Sequence, residues 1–344
     1  MKDNVRNKKT DSAILRIKKM GLSLSCLLLV SFTVFSAVSC ANNQGSSQTK
    51  SATVGIAWRS DLDSEFYTNI SRAITEAGGT PKLLGQALST DVSYDSNNKI
   101  QDACVDENGI LKIEYAKKIR ENNYASSNVK DIIGQVDAIV FTGGEDISPT
   151  LYKIPEEWHG IEAEKDYNAT RDVSDYLTMS YCVSQDIKLM GFCRGMQMLG
   201  VFSGATVIQD IPTYFKNLSL DYHYEHRNEK TGDNYRDYAP HDVEAVTDSK
   251  LYEITNETLI KNVPSWHHQS LLSVENTSLK VTGTTDTSGL KMIECIERTD
   301  KTYEVGFQFH PEAAIVKNLD NASNKDKYMD YGTAMKFFKA LVSA

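Results

Sequence analysis

The residues best placed to do chemistry lie in one short stretch, Gly191-Phe192-Cys193-Arg194-Gly195. A short apolar run, Ile187-Lys188-Leu189-Met190, leads into it, and a helical pattern follows from Met196 to Leu199. Gly-x-Cys-x-Gly between a strand and a helix has the form of a nucleophile elbow with Cys in the usual place of Ser. The chain bends sharply at such a nucleophile, and glycines two residues to either side relieve the crowding. The bend aims the sulfur at the positive end of a helix, where a thiolate is favoured. The same Cys could be one more core thiol beside a strand. The elbow spacing favours the nucleophile.

A thiol nucleophile needs a base, an orienting group and donors for an oxyanion. The segment Tyr303–Phe309 reads as a buried strand ending in His310-Pro311-Glu312. His310 there can take the thiol proton and later protonate a leaving amine, while Glu312 holds the imidazole's tautomer. A second buried strand, 137–141, runs into Thr142-Gly143-Gly144. Ligands of open α/β sheets gather at strand carboxyl ends, so Gly144 or Gly143 can supply one oxyanion donor. The N–H of Arg194 supplies the other. Ser265-Trp266-His267-His268-Gln269 carries a His pair that could bind a substrate carboxylate or hold a turn.

These residues need a frame. A strand at 53–58, a helix at 63–77 (Leu62, Phe66, Ile70, Ala73, Ile74) and a strand at 81–84 make a β-α-β start and predict a largely parallel sheet. A helix at 170–185 leads to the elbow strand, and strand-like segments follow at 241–246, 270–274, 279–282 and 292–297. An amphipathic helix at 327–343 closes the chain. Residues 88–130 read as a polar, irregular insertion. Its Asp95 and Asp106 turns lack a full calcium-loop pattern. Residues 212–240, rich in Tyr, read as an aromatic loop rimming a pocket, and the His-x-x-His of His223 and His226 is too weak for a metal site.

The chain has 344 residues, 40% hydrophobic and 24% charged, with net charge -9. Residues 1–39 hold seven Lys/Arg and two Asp/Glu, leaving 30 against 44 and a net of -14 for the rest. An acidic body of this kind argues against nucleic acid as a partner. The basic residues Lys2 to Lys19, the apolar run 21–38 and Ala37-Val38-Ser39-Cys40 resemble a bacterial lipoprotein signal. On that reading residues 1–39 are a signal peptide and Cys40 is lipidated. Residues 40–51 are then a flexible tether and 52–344 the catalytic domain. Cys104, Cys182, Cys193 and Cys295 remain without C-x-x-C spacing, so neither zinc nor a disulfide framework is indicated.

Six blocks in order make the set recognisable: 141–152, Arg171-Asp172, Gly191–Gln197, Gln209-Asp210-Ile211, 265–269 and Gln308–Glu312. Together they resemble the class I glutamine amidotransferase-like superfamily. The resemblance is to its gamma-glutamyl hydrolase group, which includes gamma-glutamyl-gamma-aminobutyrate hydrolase, and covers about residues 53–315. It implies a flavodoxin-like three-layer α/β/α sandwich with a mostly parallel central sheet and a Cys193-His310-Glu312 triad. It further implies oxyanion donors on Gly144 (or Gly143) and Arg194, and substrate contacts from Gln197, His267 and His268. No metal or organic cofactor is implied. Glu145 departs from the group, which often has a small residue there. The expected activity is hydrolysis of a gamma-glutamyl amide through a thioester on Cys193. The alternatives are a glutaminase that supplies ammonia and a non-catalytic lipoprotein that binds glutamyl compounds. The expected partners are a small gamma-glutamyl substrate and a membrane reached through the lipid anchor on its periplasmic or cell-surface side. A homodimer is left open.

Overall fold

The computed structural model describes residues 51–61, 64–231 and 236–343. The signal, Cys40 and nearly all of the tether lie outside the described residues, as do Leu62 and Tyr235. In chain order the described elements begin with β1 (Thr53–Ile56), α1 (Glu65–Glu76), β2 (Thr80–Leu83), α2 (Ile113–Asn122) and α3 (Val129–Ile133). Next come β3 (Ala138–Phe141), α4 (Ala169–Gln185), β4 (Lys188–Phe192), α5 (Arg194–Ser203), β5 (Thr206–Ile208) and α6 (Ile211–Asn217). β6 (Ala239–Ala245), α7 (Lys250–Thr255), β7 (Leu259–Ser265), β8 (Ser270–Ser273) and β9 (Leu279–Thr287) follow. The chain closes with β10 (Leu290–Arg298), β11 (Glu304–Phe307), α8 (Pro311–Leu319) and α9 (Tyr331–Ser343).

The main sheet runs β2-β1-β3-β4-β11-β10-β9-β6-β7. Its first five strands are parallel. Their order is the 2-1-3-4-5 arrangement of the flavodoxin-like fold. β10, β9, β6 and β7 extend the sheet with antiparallel pairings. Tyr67, Ile70 and Ile74 of α1, with residues of α8 and α9, fill the core on one face. Residues of α2, α3, α4 and α5 fill the core on the other. The helices therefore form two layers about the sheet, as expected.

Strand β3 is buried throughout, and β4 is buried from Leu189 onward. Apolar runs of this kind belong to parallel strands covered on both faces. Their register sets the site. Phe141 is level with Gly191, and Phe307 with Phe192. The next residues along β3, β4 and β11 are the Gly143-Gly144 loop, Cys193 and the approach to His310. All emerge at one edge.

Two loop expectations are corrected. Residues 88–130 are not irregular throughout, because they contain α2 and the start of α3. Only Ala116 and Ile119 of α2 are buried, so its sequence shows few apolar positions against a background of charge. The Asp95 and Asp106 turns do close locally. Asp95 Oδ1 accepts from the N–H groups of Asn97 and Lys99 at 2.8 and 2.9 Å, and Asp106 Oδ1 from those of Asn108 and Ile110 at 2.9 Å. The stretch 212–240 opens with most of α6, whose N-cap Asp210 accepts from the Thr213 N–H at 3.0 Å. β7 and α7 were not anticipated. β5 leaves the main sheet and pairs with β8 in a two-stranded sheet of its own.

Candidate active site

Cys193 stands between β4 and α5 as the helix N-cap, with φ 50° and ψ -107°. Positive φ at a non-glycine residue costs of order 1–3 kcal/mol and persists only when the surroundings enforce it. Here they do. The Cys193 N–H donates to the Phe307 carbonyl at 2.7 Å, and the Cys193 carbonyl accepts from Gln197 N–H at 3.1 Å. The flanking glycines are needed for close approach. A Cβ on Gly191 would lie 2.5 Å from the Gly195 carbonyl carbon, and one on Gly195 would lie 2.5 Å from the Phe141 oxygen. The elbow is therefore wedged against β3 as well as bent.

His310 caps α8, which starts at Pro311 and carries Glu312 in its first turn. Pro311 sits at the helix start because its missing N–H needs no partner there. His310 Nδ1 is 2.7 Å from Glu312 Oε1, and the imidazole feels the Cys193 sulfur beside it. With Nδ1 held by Glu312, Nε2 is the nitrogen left for the sulfur. Burial alone would push the His310 pKa down. The Glu312 carboxylate first, and then the Cys193 sulfur, outweigh burial and lift it to about 10. His310 thus holds a proton through neutral pH, ready for a leaving amine. Its contribution to stability is fully present below the unfolded imidazole's value of about 6.5 and is lost as pH rises through about 10.

One prediction follows here. Glu312→Gln removes the strongest upward influence on His310, so the alkaline limb of the kcat/KM profile moves to lower pH. The activity loss is expected to be about 10²- to 10⁴-fold, as for other triads whose orienting carboxylate is neutralised. A pH–rate profile of variant and wild type checks both.

The loop expected to supply an oxyanion donor is held by two cations, Arg171 of a recognised block and Arg59, which was not singled out from the sequence. The Gly143 carbonyl accepts from Arg171 Nη2 at 2.8 Å and from Arg59 Nη1. A trans peptide then turns the Gly144 N–H away from the two guanidinium groups. Gly144, at φ 140°, borders the cavity with Cys193. A Cβ there would run into both guanidinium groups. Gly143 lies on the triad itself, since its Cβ would be 2.7 Å from His310 Cε1 and 3.5 Å from Cys193 Cβ. Arg194 follows the nucleophile in the first turn of α5, where backbone N–H groups lack helical partners. Its side chain points into the core, binding Asp175 and, at 2.5 Å, Asp172 Oδ1. Glu145 pairs with Arg171 and lies 4.0 Å from Arg59. Burial alone would raise its pKa, but Arg171, Arg194 and Arg59 hold it well below the usual carboxylate range. The departure at Glu145 is therefore charge-compensated.

The residues expected to contact substrate lie together. Gln197, His267 and His268 do border one cavity with Cys193. Gln197 Nε2 donates to the Gln269 carbonyl at 3.2 Å and to Gln308 Oε1 at 3.3 Å. His268 has both nitrogens engaged, with Asp146 at 2.9 Å and Asp210 at 3.2 Å. Burial would lower its pKa, but these two carboxylates raise it. His267 Nδ1 is 2.9 Å from the Gln269 carbonyl, and its Nε2 lies 3.8 Å from Glu294 Oε1. Both imidazoles border the cavity while facing protein groups of its wall. The cations bordering the cavity are Lys165, Arg227, Lys230 and Arg236, none of which was singled out beforehand. They come from stretches without strong periodicity, so no local signal marks them. Cys104, Cys182, Cys193 and Cys295 are all free and buried.

A nucleophile elbow, a Cys-His-Glu triad and a flavodoxin-like sheet together define the class I glutamine amidotransferase-like superfamily. The peptidase C26 model matches residues 116–312, and the chain belongs to that family. It is 34% identical over 187 residues to protein NtpR of Enterococcus hirae, covering 54% of this chain and 71% of that one. It is 28% identical over 251 residues to a glutamine amidotransferase-like protein of Rickettsia prowazekii, covering 64% and 81%. A glutamine amidotransferase relative in Mycobacterium tuberculosis is 27% identical over 213 residues, covering 62% and 57%.

Proposed function

We propose that this cysteine hydrolase cleaves gamma-glutamyl amide bonds of small molecules. The observation that carries the reading is the two-sided setting of Cys193. On one side a cavity of about 350 Å³ is bordered by the cations Lys165, Arg227, Lys230 and Arg236 and by the acids Glu145, Asp146, Glu164 and Asp166. Cations and anions together suit the carboxylate and ammonium of an amino-acid head. On the other side Phe66, Tyr238, Asn69 and His310 border a second cavity, beside the base that would protonate a leaving amine. An acyl group with a free amino-acid head, joined to an amine, fits both sides at once.

The steps follow from the site. The Cys193 sulfur attacks the gamma carbonyl, and the oxyanion is received by the N–H groups of Gly144 and Arg194. The C–N bond breaks as His310 protonates the amine, leaving a thioester. Water then attacks, His310 takes its proton, and glutamate leaves as the sulfur is released.

The test compares the full chain with Cys193→Ala on gamma-glutamyl-4-aminobutyrate, gamma-glutamyl-p-nitroanilide and glutamine. Release from the gamma-glutamyl amides that Cys193→Ala abolishes supports the reading. No release, or equal release by the variant, overturns it. Activity on glutamine alone favours an ammonia-supplying glutaminase, a reading to which the names of the amidotransferase relatives also lend weight.

Lipid anchoring through Cys40 outside the cytoplasm belongs to the same proposal and rests on residues 1–40. No described helix is long and apolar enough to cross a membrane. Loss of membrane partitioning in Cys40→Ser is the expected result; partitioning that survives contradicts it.

A further inference from the structure

Four buried or nearly buried side chains converge behind the cavity wall: His226, His241, His267 and Glu294. One ligating atom from each lies within 4.8 Å of every other. His226 Nδ1 is 3.1 Å from Glu294 Oε1, His267 Nε2 is 3.8 Å from the same oxygen, and His241 Nε2 is 3.7 Å from Oε2. The edge of a tetrahedron with metal–ligand bonds of about 2.0–2.1 Å is about 3.3 Å, within that spread.

The groups around the cluster leave it unsatisfied in the way a metal would correct. His226 Nδ1, His267 Nε2 and both Glu294 oxygens are buried without a hydrogen-bond partner among the described residues. Buried polar atoms of this kind are rare and need a reason. Two of the three outer nitrogens are engaged: His226 Nε2 with Thr287 Oγ1 at 2.8 Å, and His267 Nδ1 with the Gln269 carbonyl at 2.9 Å, while His241 Nδ1 is buried without a partner among the described residues. A proton on each of the two engaged nitrogens leaves the inner lone pair facing Glu294, the usual support for a metal-bound imidazole. His241 Nε2 meets Ser265 Oγ at 2.6 Å, so a metal would displace that hydroxyl.

We propose that His226, His241, His267 and Glu294 form a structural zinc site that staples the cavity wall. Three imidazoles and a carboxylate suit zinc better than calcium or magnesium. Four protein ligands leave no open position, which separates this site from hydrolytic zinc centres. The staple joins β6, β10 and the loops at 226 and 267. His267 N–H donates to the His226 carbonyl at 3.0 Å, and the neighbouring Trp266 carbonyl lies 4.0 Å from Cys193 Sγ. The metal thereby fixes the wall that faces the sulfur, without touching substrate. The proposal does not depend on which amide is cleaved.

The test uses the full chain, stripped with a chelator, incubated with zinc sulfate and desalted. Mass spectrometry should find one zinc per chain, in wild type and in Cys193→Ala alike, and zinc should raise the melting temperature. Cobalt in place of zinc should give the visible bands of a tetrahedral ion with no thiolate charge-transfer band. Glu294→Gln keeps the side-chain shape, removes the charge and should lower zinc affinity by about 10-fold or more. No retained metal, a Glu294→Gln variant that binds as tightly as wild type, or a thiolate band lost in Cys193→Ala would each overturn the proposal. Should the variant fail to fold, the wild-type cobalt spectrum decides.

Discussion

Cys193→Ala is expected to lower kcat/KM for a gamma-glutamyl amide by about 10⁴- to 10⁶-fold, the range seen when a covalent nucleophile is removed. The residual rate comes from the oxyanion donors and from substrate held in place. The fold should tolerate the change. Ala and Cys meet the same difficulty at φ 50°, and the backbone bonds that enforce the elbow, to Phe307 and Gln197, do not involve the sulfur. The melting temperature is therefore expected to move little while activity disappears. Steady-state kinetics and a thermal melt on one preparation check the pair of outcomes. A large fall in both would mean that the sulfur is chiefly a packing group.

The second large effect concerns stability. Arg194→Met removes the cation that binds Asp172 and Asp175, all three side chains being within 2% of full burial. The backbone N–H of residue 194 remains, so oxyanion chemistry is not the direct target. Breaking a buried ion pair by deleting one partner costs about 3–5 kcal/mol, because the other charge is left uncompensated. Burial already raises the Asp172 pKa, against the opposing pull of Arg194. Without Arg194 it rises further above the unfolded value of about 3.9. Such a group supports folding below the unfolded value and loses that support as pH rises through the folded one. The variant should therefore be destabilised more at neutral pH than near pH 4 (about the unfolded value). Urea denaturation at both pH values measures this. Adding Asp172→Asn should recover part of the loss.

The placement of the candidate triad residues and the parallel half of the sheet were legible for the same reason. Cys193, Gly143-Gly144 and His310 each end a short buried strand, and a buried parallel strand announces itself as an apolar run. The antiparallel half was less legible. Strands β6 and β7 alternate buried and exposed positions imperfectly across a register shift, and β7 contains Pro264. Helix α2 was hidden because two buried side chains anchor it.

Side chains that converge from distant segments were the least legible of all. Arg59 reaches Gly143 across 84 residues, and His268 reaches Asp146 across 122. The His226, His241, His267 and Glu294 cluster draws on four segments with no common spacing. The weak His223/His226 pair contributes only one of its members. Local pattern identified His267 and His268 as unusual. Only packing reveals which way each imidazole turns.

The proposed chemistry turns on a thioester between Cys193 and a gamma-glutamyl group. Peptide mapping of the full chain after acid quench during turnover of gamma-glutamyl-p-nitroanilide would detect it. The expected result is a glutamyl group on Cys193, released by hydroxylamine. Rapid p-nitroaniline release with the Cys193 sulfur unmodified at every quench time, or a glutamyl group carried by another residue, would contradict it.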